Sequence, residues 1–147
     1  MSAVLVGYDA TDTSTTAVRE AAELARKLDR PLEIVIAVDE KHVGKGPLNA
    51  WSGDELHKSL NDRHRRMVEL AQQQASAMAA ELGDLDVETV AAIGSPADVL
   101  VERAEHVAAS MIVVGNRNTQ GARRLLGSVA SEVVHRAPCA VHIAKTT

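Results

Sequence analysis

The sequence predicts an α/β protein built on a doubly wound parallel sheet with helices on both faces. Short runs rich in Val, Ile and Leu alternate with longer segments of helical periodicity. Within the runs the apolar residues are nearly continuous, as in strands covered on both faces. Asp9, Ala37 to Asp39, Gly94 and Gly115 all fall at the C-terminal ends of runs. Such positions share one rim, where open α/β sheets bind ligands at the point of strand-order reversal.

Ala3 to Tyr8 reads as the first strand. Asp9 follows it, then Ala-Thr-Asp-Thr-Ser, a cluster of helix-capping residues. Ala17, Val18, Ala21, Leu24, Ala25 and Leu28 recur at helical spacing, so Thr13 to Leu28 is an amphipathic helix, stopped by Asp29-Arg30-Pro31. Leu32 to Val38 is a second strand with β-branched Ile34, Val35, Ile36 and Val38. Asp39 to Gly53, with Gly44, Gly46, Pro47, Asn49 and Trp51, has no periodicity, and so long a connection reads as a lid or binding loop.

Ser52-Gly-Asp-Glu55 resembles a capping box opening a long helix. Leu56, Leu60, Met67, Leu70, Ala71, Gln74, Met78 and Leu82 mark its expected buried face; Asp62, Arg63, Arg66 and Glu69 mark a solvated one. Gly83 ends that helix, and Val87 to Ile93 is a third strand, weaker in pattern because of its alanines. Gly94-Ser95-Pro96 is a turn leading into a helix over Ala97 to Ala108, with proline near its first position. Met111 to Val114 is the fourth strand, Val129 to His135 a last helix, and Ala140 to Ala144, after Pro138, a fifth strand.

A chain of 147 residues suits a single domain spanning residues 1–147. Its apolar share of 46% comes from small aliphatics, with no Phe, one Trp and one Tyr. That composition lacks the aromatic platforms of single-strand nucleic-acid binders, and a net charge of −4 argues against general nucleic-acid binding. One cysteine, Cys139, rules out an internal disulfide and fits a reducing compartment. No apolar run approaches membrane-spanning length, and MSAVLVGYD shows no basic region before a cleavable apolar core. The expectation is a cytoplasmic protein with no membrane or nucleic-acid partner.

Met111 to Ser131 carries the chemistry. An apolar strand ends at Gly115, a basic loop with Arg117, Arg123 and Arg124 follows, and Gly127-Ser128 opens a helix. The first-turn N–H groups of a helix, with its positive dipole end, attract an anion. Ser128 adds a hydroxyl donor. The plainer alternative is that glycines merely punctuate strand and helix ends. Neither a Walker loop, which needs Lys after the last glycine, nor a G-x-G-x-x-G fingerprint is present; Gly44-Lys45-Gly46-Pro47 reads as a loop.

The opening strand ending in Asp9, the Gly94-Ser95-Pro96 turn, the strand end Ile112-Val113-Val114-Gly115, the segment Leu125 to Val129, and the close Ala137-Pro-Cys-Ala-Val-His-Ile143 together resemble the universal stress protein family. The resemblance implies a Rossmann-like, adenine nucleotide α-hydrolase-like sheet of five parallel strands, the first central, switching between the first and fourth. It also implies a homodimer and, in one branch, ATP or another adenine nucleotide, with or without magnesium. In that branch the phosphate loop reads glycine, two residues, glycine, nine residues, glycine, then Ser or Thr. Gly115, Gly127 and Ser128 match. Asn118 replaces the middle glycine, and eight residues separate it from Gly127. The nucleotide-binding set implied is Gly7, Asp9, Ala37, Gly115, Arg117, Asn118, Gly127, Ser128 and Val129, with Asp9 near the ribose and Ala37 offering backbone to the adenine edge. The family's usual Gly-Ser after the aspartate is Ala10-Thr11 here.

Plainer readings stand beside these. Asp9 serves equally as a cap for the next helix, and Arg123 and Arg124 as solvated loop charge. His57 and His64 share a helix face, but no histidine pair has metal-site spacing, so solvent-facing histidine is the expectation. Cys139 reads as a packed small hydrophobe, and no G-x-S-x-G elbow appears. No motif places a general base for phosphoryl transfer, so the expected role is regulatory, with at most slow incidental ATP hydrolysis. Strand Ala140 to Ala144 at the chain end offers a pairing edge, and the resemblance favours pairing with its copy in a second subunit. The alternatives are an interaction module that has lost nucleotide binding, and an adenylating or flavin-dependent enzyme on the same general fold.

Overall fold

The computed structural model describes residues 2–39, 53–116 and 126–145, with side chains from residue 61 onward in the second stretch. The elements run β1 (Val4–Gly7), α1 (Asp12–Leu28), β2 (Leu32–Val38), α2 (Gly53–Ala80), β3 (Val87–Ile93), α3 (Pro96–Val107), β4 (Met111–Gly115), α4 (Ser128–Arg136) and β5 (Ala140–Ala144). All strands are parallel, in the order β3-β2-β1-β4-β5. The central strand β1 pairs Val4 with Leu32 on one side and with Met111 on the other.

Alternation along β1 divides the core in two. Val4 and Val6 face a layer formed by Ala17, Val18, Ala21 and Ala25 of α1 with Ala71, Ala75 and Met78 of α2. Leu5 faces Leu100 and Ala104 of α3 with Ala130 and Val133 of α4. Leu5, Leu32, Ile34 and Ile112 are fully buried, each worth about 1.5–3 kcal/mol on burial. Glu33 is only 3% exposed on β2, and Arg103 of α3 donates its Nε–H to that carboxylate. This partner and the neighbouring Glu88 raise the pKa of Arg103.

Of the capping cluster after Asp9, one residue caps α1, and the turn before Pro96 supplies the cap of α3. Thr11 caps α1 and Ser95 caps α3, with Pro96 as the first helical residue. Asp29 and Ala108 close the two helices in the left-handed region, at φ 53° and 49°.

One expectation fails on α2. Met67 and Leu70, assigned to the buried face, are 38% and 51% exposed, and Gln74 is exposed too. The buried line runs through Ala71, Ala75, Met78 and Leu82, with Val68 and Ala79 packed at its flank. Side-chain size misleads here. Alanines let the helix lie close on β2 and β3, whose β-branched residues already fill the interface. Gln72 sits on this inner side, hydrogen-bonded through Nε2 to Thr89 of β3. The segment 40–52, which includes Ser52 and is the expected lid Asp39 to Gly53 apart from its two end residues, lies outside the described residues, as do the side chains of Leu56 and Leu60.

Candidate functional site

The two central strands part at their C-terminal ends. From β1 the chain turns to α1 on one face, and from β4 it leads to α4 on the other. The crevice between them is a pocket of about 460 Å³, within the range typical of small-molecule sites. Val35, Ala37, Leu100 and Val114 give it apolar walls; Asp9, Thr11, Thr13 and Ser128 give it polar ones.

Gly7 forms its base. A Cβ there would come within 3.1 Å of Leu100 Cδ1, so the missing side chain lets α3 sit against the strand end. Asp9 follows on a tightly bonded turn. Its Oδ1 accepts from the Thr11 backbone N–H at 3.1 Å and from the Thr11 hydroxyl, while its own N–H donates to Ser14 Oγ at 3.1 Å. Asp9 is therefore not the cap of α1: Thr11 Oγ1 accepts from the Ser14 N–H at 3.3 Å, and Asp9 orients Thr11. Ala10 reaches this geometry with φ 64°, a left-handed conformation that costs a non-glycine residue about 1–2 kcal/mol.

Opposite Asp9, α4 begins at Ser128 with Gly127 as its N-cap and no side-chain cap bond. Gly127, Ser128, Val129 and Ala130 all line the pocket. The end of a helix carries N–H groups without intrahelical partners and partial positive charge, an arrangement suited to an anion. Asn116, one residue past β4, is 5% exposed, and its Oδ1 accepts from the Gly127 N–H at 2.8 Å.

The structure thus gathers seven of the nine sequence-predicted residues on one cavity: Gly7, Asp9, Ala37, Gly115, Gly127, Ser128 and Val129. Arg117 and Asn118 lie outside the described residues, as do Arg123 and Arg124. Sequence reasoning missed Asn116, Thr13 and Ser14. The hydroxyl cluster after Asp9 was legible only as capping chemistry, and a buried loop asparagine leaves no periodic signal.

The profile of the universal stress protein family matches residues 1–145. The chain belongs to that family. The universal stress protein YxiE of Bacillus subtilis is 29% identical over 155 aligned positions, covering 97% of each chain. One from Methanocaldococcus jannaschii is 31% identical, over 97% of this chain and 81% of that protein. A universal stress protein solved in complex with cAMP is 30% identical, with a TM-score of 0.69 over 99% of this chain and 98% of its own. Another, from Archaeoglobus fulgidus, solved in complex with dAMP, is 23% identical with a TM-score of 0.63, covers 99% of this chain and 98% of its own, and shares the fold.

Two further titratable side chains of this universal stress protein, His142 and Cys139, are not among the residues that line the pocket. His142 of β5 is half-buried with Nε2 at 3.2 Å from Glu20 Oε1 of α1, which corrects the expectation of a solvent-facing ring. Cys139 packs against the α3–α4 core layer, and burial pushes its thiol pKa up, away from nucleophile chemistry. Among the described residues, no group of three His, Cys, Asp or Glu is placed to hold a metal ion, and no helix is long and apolar enough to cross a membrane.

Proposed function

We propose that this universal stress protein is a regulatory protein that binds an adenine nucleotide in the rim pocket. The observation that carries the reading is the N-terminus of α4, with no side-chain cap among the described residues, opening into a cavity at the β1–β4 switch point. In this reading the phosphate takes the first-turn N–H groups of α4 and the Ser128 hydroxyl. The adenine lies between the apolar walls near Ala37, and Asp9, an acceptor held in place by Thr11, faces the ribose. The relative solved with cAMP, at 30% identity over nearly the whole chain, supports an adenine nucleotide as the ligand class. Magnesium would arrive with the phosphates, since Asp9 is the one carboxylate among the described pocket-lining residues. The role in this reading is regulatory rather than catalytic, since no sequence motif places a general base for phosphoryl transfer.

The test is calorimetric titration of nucleotide-stripped protein with ATP, AMP and cyclic AMP, with and without magnesium, beside Ser128→Ala. Saturable binding weakened in the variant is expected. Absence of heat with every nucleotide, from folded protein, sinks the reading and favours an interaction module.

The assembly we propose is a homodimer through β5. This strand ends the sheet, so among the described residues one side of its backbone has no partner strand, and Ala140 is exposed on it. Sedimentation equilibrium is expected to give twice the 15.6 kDa chain mass. A monomer at micromolar concentration would refute the pairing.

A further inference from the structure

We propose that Asn116 is the positioning residue of the pocket's anion end, holding the N-terminus of α4 in its binding geometry before a ligand arrives. The proposal rests on the nucleotide reading above and adds what prepares that site. Asn116 is 5% exposed, and a polar side chain so buried is kept only where it is hydrogen-bonded. Its bond to the Gly127 N–H, at 2.8 Å, joins positions 11 apart in sequence, the end of β4 and the N-cap of α4. These are the two ends of the stretch that connects one half of the pocket to the other.

The contact places no special demand on the residue at position 127. Its φ of −63° and ψ of 162° are ordinary for any residue. A Cβ there would sit 3.4 Å from Asn116 Oδ1, an ordinary van der Waals contact, so the bond does not depend on a missing side chain. The bond also assigns donors. Gly127's N–H is committed to Asn116, which leaves an incoming anion the N–H groups of Ser128, Val129 and Ala130 and the Ser128 hydroxyl. Without the bond, a ligand would have to order the helix end as it binds, and the ordering cost would appear as lost affinity for its phosphate.

The experiment compares wild type, Asn116→Ala and Asn116→Asp as full-length chains. Amide hydrogen exchange at Gly127 is read without ligand, and calorimetry is run with adenosine and with AMP. Asn116→Ala should speed Gly127 exchange at least tenfold and weaken AMP about tenfold, leaving adenosine within about twofold. Asn116→Asp keeps the acceptor, so Gly127 should stay protected and adenosine binding unchanged, while the added negative charge weakens AMP further. A residue needed only for folding would not split AMP from adenosine, nor be rescued for exchange by Asp. Unchanged Gly127 exchange in Asn116→Ala overturns the bond. Equal weakening of AMP and adenosine overturns the positioning role. If wild type binds neither, the nucleotide reading itself falls and this role with it; the exchange comparison separates that from a missing bond.

Discussion

Gly127→Asp puts the anion site and the fold to opposite tests. Gly127 is the N-cap of α4 and provides no side-chain cap. An aspartate there can accept from the N–H groups of Val129 or Ala130 and places negative charge at the positive end of the helix. Replacing a glycine cap gains a few tenths of a kcal/mol, and the charge about 0.3–1 more. The added Cβ, at 3.4 Å from Asn116 Oδ1, is in ordinary contact. A net gain of about 0.5–1 kcal/mol raises Tm by roughly 1.5–3 °C for a chain of this size. A bound phosphate would meet the opposite effect: two like charges about 5 Å apart at an effective dielectric constant near 20 repel by about 3 kcal/mol, on the order of a hundredfold in affinity. Differential scanning calorimetry and AMP titration read the two effects on the same sample. Gly127→Ser, which caps without a charge, should keep only the capping part of the Tm gain, a few tenths of a kcal/mol, and lose only about tenfold in affinity. A raised Tm with undiminished AMP binding would refute the placement of phosphate at α4; a lowered Tm would refute the capping argument.

Four further outcomes are expected. Ala108→Gly removes the cost of a left-handed alanine at the end of α3 and should stabilise by about 1 kcal/mol, seen as a higher urea midpoint with an unchanged slope. Ala10→Gly should act likewise in the turn after Asp9, with the midpoint again the readout. Arg103→Ala leaves the buried Glu33 carboxylate without its guanidinium and should cost about 3 kcal/mol in urea denaturation, much of it recovered when Glu33 is also made Leu. Arg136 Nη1 lies 2.6 Å from Asp98 Oδ1, and this bond, helped by Ser95, holds the Asp98 carboxyl below its usual pKa. A depressed folded-state pKa contributes stability that is present above the unfolded value of about 3.9 and lost as pH falls through the folded one. Asp98→Asn should therefore show a shallower drop in Tm between pH 5 and pH 3 than wild type.

The sequence was most legible where local chemistry and tertiary environment agree. β2, β3 and β5 match the sequence reading residue for residue because they are largely apolar runs with sharp limits: Pro31 and Asp39, Asp86 and Gly94, and, for β5, Pro138-Cys139 and Lys145. Pro96 marks the start of α3 to within one residue because a proline at the first helical position acts within one turn; that Ser95 caps it is visible only in the structure. On α2 the reading went astray because a pattern of large residues says nothing about how near the sheet a helix lies, and closeness selects Ala71 and Ala75 over Met67 and Leu70. The candidate site was legible as a set of glycines and one aspartate at strand ends. Its internal wiring was not. That Asp9 orients Thr11, and that Asn116 holds Gly127, are consequences of a turn and of a contact across 11 positions, which no periodicity encodes.

The pairing of β1 with β4 has a consequence for how the protein comes together. The first strand finds half of its neighbours only after more than a hundred residues have followed it, since Val4 lies beside Met111. During synthesis, β1, α1 and β2 can associate early, but the pocket has no second wall until α4 has been made. A truncated product ending before β4 would therefore lack half the cavity, and a ligand would have nothing there to recognise. Occupancy would report on the completed fold, and a molecule held between the earliest and latest parts of the chain would slow its opening as a whole rather than stiffen one loop.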